Sequence, residues 1–136
     1  MKKRILFLML WVCIGLACKK SNTPNSTLMG TWQWNYSIGG IAGQTITPMG
    51  NIVVLRLQPD SVFSVTVNGV QQTTGLYHTK VDSANHSILY LQGILAAFPF
   101  ASPNGLVYQI QNNQLICDDH QVSDGFRHYF GRIGAL

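Results

Sequence analysis

The chain reads as an all-β protein: an eight-stranded antiparallel up-and-down β-barrel that follows an N-terminal export segment and a flexible tether. Three observations carry this reading. From Gly30 onward, short runs rich in Val, Ile, Thr, Phe and Tyr alternate with clusters of turn residues, the pattern of half-buried strands. No stretch shows a sustained helical period. Eight such runs fall within about 105 residues, and sequential antiparallel strands in that number are best closed on themselves, which removes exposed sheet edges.

The strands are expected at residues 30–37, 51–57, 61–67, 71–81, 87–91, 106–111, 114–118 and 126–133. In the first, Trp32, Trp34 and Tyr36 stand two apart. They are therefore expected on one face, and three large aromatics on one face belong in the interior. The second and third are separated by Pro59-Asp60-Ser61, and the third alternates cleanly, with Phe63, Val65 and Val67 on one side. Asn68-Gly69 then favours the positive φ angles of a tight hairpin into the fourth. The sixth and seventh meet at Asn112-Asn113, and the last strand sets Phe126, His128, Phe130 and Arg132 on one face. Two connections are long. Residues 38–50 carry Gly39, Gly40, Gly43 and Pro48, and residues 92–105 are unusually apolar through Ile94, Leu95, Phe98 and Phe100.

The segment before the barrel starts with Lys2, Lys3 and Arg4, runs through thirteen apolar residues at 5–17, and reaches Cys18 after Gly15-Leu16-Ala17. Thirteen residues are too few for a spanning helix, which needs roughly 20. The charge pattern and the small residues suit a cleaved export signal. With a cysteine at the cut, the segment resembles a bacterial lipoprotein signal, although Gly15 stands where that pattern usually has Leu. The resemblance implies that residues 1–17 are removed and that Cys18 becomes the lipidated first residue. Residues 18–27 then form a polar tether with a reach on the order of 20 Å, and 28–136 form the domain. It places the protein in the cell envelope, anchored to the membrane by the N-terminal lipid. Lys19, where some lipoproteins carry an inner-membrane retention Asp, favours the outer membrane, facing the periplasm or the exterior.

Removing the signal also changes the charge. The whole chain has a net charge of +4, but 18–136 keeps six Lys and Arg against five Asp, a net charge of +1. No basic cluster remains of the kind that nucleic-acid binding requires. Cys117 is then the one cysteine besides Cys18. No internal disulfide is available, and the domain must be held by its core alone. Cys117 itself reads as a buried, inert thiol.

Chemistry-bearing residues are sparse. Asp118, Asp119, His120 and Asp124 form the one cluster, and they read as strand and turn residues rather than converging metal ligands. His78, His86 and His128 lie in separate segments without matched spacing, and Thr31 and Ser37 lack an adjacent base in the sequence. No nucleophile elbow or phosphate loop occurs. No catalytic residue, metal or cofactor is expected, and the chain is read as a binder or scaffold rather than an enzyme.

The opening Gly30-Thr31-Trp32 and the Arg132 of the last strand resemble the Gly-X-Trp signature of lipocalins. The run from Trp32 to Gly43, Thr47-Pro48, Asp124-Gly125-Phe126 and Tyr129-Phe130-Gly131-Arg132 are similar to the small lipocalin-like lipoproteins of Bacteroidetes. This likeness covers about residues 28–134 and implies a fold more than a function. Antiparallel closure sets Arg132 beside Trp32 at the tether end, where cation–π attraction of roughly 0.5–2 kcal/mol would plug the barrel. Strand parity sends the loops 38–50, 68–70, 92–105 and 119–125 to the opposite end. That end is the expected mouth. Trp34, Tyr36, Met49, Ile94, Phe98 and Phe100 would offer apolar contact there to a small apolar or amphipathic molecule, with Asp119, His120 and Asp124 on the rim. A second reading stays open, in which the Gly-rich loop is a closed lid and the phenylalanines of 92–105 are core. The protein would then be an interaction module, such as an inhibitor of a hydrolase.

Overall fold

Alternating large apolar residues make the strands, and the turn residues between them fix their order. The computed structural model describes residues 28–134; the segments read from the sequence as an export signal (1–17) and as Cys18 with its tether (18–27) lie outside the described residues. Among these residues the strands are β1 (Gly30–Gly39), β2 (Gln44–Ile46), β3 (Val53–Leu57), β4 (Val62–Val67), β5 (Val70–Val81), β6 (Ser87–Gln92), β7 (Leu106–Gln111), β8 (Gln114–Asp119) and β9 (Phe126–Gly134). All pairings are antiparallel. The order runs β1-β3-β4-β5-β6-β7-β8-β9, and β9 returns to β1, so that eight strands close an up-and-down barrel. Asn68-Gly69 and Asn112-Asn113 both hold positive φ at both central positions, as two-residue hairpins of right-handed twist require.

The ninth strand, β2, lies within what the sequence presents as a loop. β3 begins pairing with β1 at Trp34 and Val53 and covers only the first half of β1. The vacated edge at Ser37–Gly39 is filled by the chain folding back as β2. Gly40 and Gly43 turn it with φ of +74° and +62°.

A second difference concerns Tyr36. Between Trp34↔Phe130 and Tyr36↔Tyr129, β1 advances two residues while β9 advances one. Asn35 is the extra residue of a β-bulge, which switches the face of everything after it. Trp32, Trp34 and then Ser37 are buried, and Tyr36 turns outward to stack on Tyr129 with ring centroids 4.6 Å apart. The expected single aromatic face therefore ends at Trp34.

The tether end is closed by local geometry around Trp32. The Arg132 guanidinium carbon sits 4.1 Å from the indole centroid, and Nη1 donates to the Met29 carbonyl at 3.0 Å. Trp32 Nε1 donates to the Leu28 carbonyl at 2.8 Å. Gly30 makes this approach possible: its φ is +144°, and a Cβ would lie 2.7 Å from Arg132 Nη1. Above this floor the interior is packed by Leu55, Leu57, Phe63, Val65, Leu115 and Phe130, among others. Cys117 is buried within the same core, and burial pushes its thiol pKa up, which keeps it protonated and unreactive.

Replacing Arg132 with Met should lower the unfolding free energy by about 1–2 kcal/mol through loss of the ring contact and its hydrogen bond. Urea denaturation would read this, with the exposed Arg56→Met as a reference expected to be neutral. Equal midpoints for both variants would show that the Arg132 cap does not stabilise the barrel.

Candidate functional site

The far end of the barrel was expected to be open, and its loops instead fill it. Residues 93–105 leave β6, turn inward and seat Phe100 in the barrel, where it has no exposed surface. Its ring lies 5.1 Å from Phe130 edge-on, 6.1 Å from Trp34 and 5.4 Å from Phe98. Ile94 and Phe98 pack against the same core. Trp34, Ile94, Phe98 and Phe100 are thus brought together, but against one another, as packing. Phe100 is thus core, and Phe98 packs against that core while staying partly exposed.

Beside Phe100 runs a polar chain that sequence spacing does not suggest. The bulge at Asn35 turns Ser37 inward, and β9 presents His128 on the face shared with Phe130. Trp34 Nε1 donates to Ser37 Oγ at 3.0 Å, and Ser37 Oγ lies 2.7 Å from His128 Nδ1. His128 Nε2 lies 3.3 Å from Asp119 Oδ1. A carboxylate only accepts, so Nε2 carries the hydrogen, Nδ1 accepts from the Ser37 hydroxyl, and Ser37 accepts from the indole; every group in the chain is satisfied. Asp119 Oδ2 accepts the Phe126 backbone N–H at 2.9 Å, which staples the ends of the 120–125 loop. Burial would raise the Asp119 pKa, but hydrogen bonds from His128 and the Phe126 N–H outweigh it and hold the carboxyl below its ordinary value.

Ser37 therefore does have a base beside it, contrary to the sequence reading. The arrangement joins serine, histidine and aspartate, yet Ser37 and His128 are fully buried. The serine oxygen is also occupied by the indole N–H. A nucleophile must reach its substrate, and this one is sealed beneath the Phe100 plug. The chain of bonds locks β1, β8 and β9 together at the filled end.

The remaining expected mouth residues do not converge. Tyr36 is on the outer wall, as described above. Met49 is 89% exposed at a loop tip. His120 turns away from the mouth: its backbone N–H donates to the Gly105 carbonyl, Nδ1 lies 3.1 Å from the Asn104 carbonyl, and Nε2 stands 3.8 Å from Asp82 Oδ2. Asp82 belongs to the β5–β6 turn, which the stagger of the barrel brings up beside the start of β7 and the end of β8. Among the described residues, no three His, Cys, Asp or Glu side chains are placed to hold a metal.

A concave surface does exist, on the outer flank. Along β5 and β6, Tyr77 and Leu89 face the core while His78 and Tyr90 face out, their rings stacked 4.7 Å apart and nearly parallel. The returning strap 101–103 passes outside this pair and leaves a groove of about 510 Å³. His78, Tyr90, Leu91, Gln92 and Ile94 line it, together with Ala96, Ala101, Ser102 and Pro103. A second depression of about 450 Å³ shares Tyr90 and Pro103 and adds Lys80, Asp82, Asn104 and His120. Of the residues expected to bind, Ile94 lines the first and His120 the second. Sequence reasoning gave no signal for this groove, because the register of β5 and β6 is what sets His78 beside Tyr90.

Comparison with protein-family models, with curated proteins and with solved structures finds no match for this chain.

Two outcomes test the filled end. Phe100→Ala should cost about 3–5 kcal/mol, as for a fully enclosed aromatic, and Phe98→Ala, only partly buried, should cost less; calorimetric or urea unfolding would measure both. Equal costs would mean that Phe100 is not the plug. The acid limb of stability tests Asp119. A lowered carboxyl pKa contributes stability that is complete above the unfolded value of about 3.9 and is lost as pH falls through the lower folded value. The fall in unfolding free energy between pH 6 and pH 3 should therefore be smaller in Asp119→Asn than in the parent. An identical fall would remove Asp119 from the acid response.

Proposed function

We propose that this chain is a lipid-anchored, lipocalin-like protein of the cell envelope that binds a small apolar or amphipathic molecule on the flank of its barrel. The observation that carries the reading is the groove beside β6 next to an interior already filled by Phe100. Its volume falls in the range of small-molecule sites, roughly 300–1,000 Å³. Its wall is mainly apolar, through Leu91, Ile94, Ala96, Ala101 and Pro103, with Gln92, Ser102 and the His78–Tyr90 pair as polar or ring contacts. Apolar burial would drive binding, at roughly 25 cal/mol per Å² before ordering costs. The anchor rests on the signal-like residues 1–17 and on Cys18.

A second reading, a protein-interaction module, is favoured by one other observation. Ile41 and Met49 are 92% and 89% exposed, and Ile38, Ile52, Leu95 and Val122 are also exposed near the loop end of the barrel. The loops there carry no Lys or Arg. A largely apolar crown without Lys or Arg suits a partner surface.

Native mass spectrometry of the protein isolated from its own host in mild detergent separates the two readings. A reproducible small-molecule adduct is expected, lost in Ala96→Trp, which fills the groove, and retained in Met49→Ser. An adduct indifferent to Ala96→Trp would overturn the groove as the site. A bare mass, with a protein partner whose retention depends on Ile41 and Met49, would establish the second reading instead.

A further inference from the structure

We infer that the groove is a site for a short, extended, uncharged peptide segment, which adds as a strand to the open edge of β6 at Tyr90–Gln92. This rests on the reading of the groove as a binding site and names the class of its ligand.

The open edge comes from the register of the barrel. β6 pairs with β5 along its whole length, from Val81↔Ser87 to Leu76↔Gln92. It pairs with β7 only at Ile88↔Val107 and Leu89↔Leu106. The intervening chain dives into the barrel to seat Phe100 and re-enters the sheet at Leu106, level with Leu89. Tyr90, Leu91 and Gln92 therefore run beyond the start of β7. Their backbone edge facing away from β5 has no strand partner among the described residues.

The strap across the groove does not take that edge. Its backbone hydrogen bonds are internal: Phe98 N–H to the Leu95 carbonyl, Ala101 N–H to the Phe98 carbonyl, and Gly105 N–H to the Ser102 carbonyl. The groove lies between the two, with Tyr90, Leu91 and Gln92 on one side and Ala96, Ala101 and Pro103 on the other. Backbone N–H and C=O groups demand partners, and an extended peptide presents them at the matching spacing, about 4.8 Å from the strand it joins. Two alanines on the far wall leave room for a second backbone.

The lining also sets the character of the side chains. No Asp, Glu, Lys or Arg lines this groove, so a charged side chain of the ligand would lose water and gain no counter-charge. Alternate residues of an added strand point to one side, where the stacked His78–Tyr90 rings and Ile94 offer contact. A saccharide would use the ring faces but not the strand edge, and this difference decides the test.

The test uses the full chain and a panel of doubly capped, uncharged pentapeptides with alternating residues (Val/Thr, Ile/Ser and Tyr/Thr). Each is paired with a version whose alternate amides are N-methylated and cannot donate. Calorimetric titration and amide chemical shifts are the readouts. At least one unmodified peptide should bind, with shifts centred on Tyr90, Leu91 and Gln92. Its N-methylated version should be weaker by about tenfold or more, the loss of at least two hydrogen bonds. Ala96→Trp should abolish binding and leave the urea midpoint unchanged. Equal affinity of methylated and unmodified peptides, or shifts lying elsewhere, would overturn the strand-addition site. If no peptide binds but the groove-dependent adduct persists, the peptide inference falls and the small-molecule reading stands. If both are absent, both fall.

Discussion

The pairing of β1 with β9 closes the sheet, and the rest of the structure depends on that closure. Eight tilted strands enclose an interior just wide enough for side chains. Any large residue that a loop sends inward therefore competes directly with cargo. At one end Arg132 lies over Trp32, close to where the chain enters the barrel. At the other, Phe100 lies against Phe130 and Trp34. The closed ring thus converts a fold often associated with internal cavities into a solid core, and leaves the outer flank and the loop tips as the surfaces available for recognition.

The polar chain from Trp34 through Ser37 and His128 to Asp119 shows how such a core tolerates polarity. Burying three polar groups and partly burying a fourth costs little only when each donor meets an acceptor, and here the directions of the hydrogen bonds are mutually consistent. The same chain connects the bulged half of β1 to the loop that follows β8. The loop end is thus fixed by two independent means, an aromatic plug and a hydrogen-bonded relay. The buried Phe100 also anchors the strap 101–103 that follows it along the groove.

The strand positions were legible because alternation and turn chemistry are local. Phe63 and Val65 announce a half-buried strand, and Asn68-Gly69 announces its hairpin. The neighbourhood of Trp32 and Arg132 was legible too, since antiparallel closure and strand parity suffice to bring them together. The failures share a cause, which is that register is not written locally. One additional residue at Asn35 sends Tyr36 outward and Ser37 inward. Gln44–Ile46 becomes a strand only because β3 leaves an edge free. His120 meets Asp82 through the stagger of the barrel, and the open edge of β6 follows from where the chain re-enters after burying Phe100. The Ser37–His128 contact joins residues 91 apart in sequence. One hint was available: His128 shares a face with Phe130, and an inward-facing histidine requires a partner.

The bulge at Asn35 also has a consequence for how this fold can vary. Along β1 the identity of the residue at 35 matters little, since it is exposed, but its standing outside the ladder as a bulge is decisive. Were residue 35 paired regularly instead of bulged, the strand would keep a strict two-residue frame past Trp34, presenting a phenol to the interior and turning the serine to solvent. The polar relay would then lose its middle member while the composition of the strand hardly changed. Chains that share this barrel can therefore be expected to diverge freely in side chains on the outer wall of β1. What must be kept is the frame between its second tryptophan and its buried hydroxyl: two residues when one of them is bulged, or a single residue when none is.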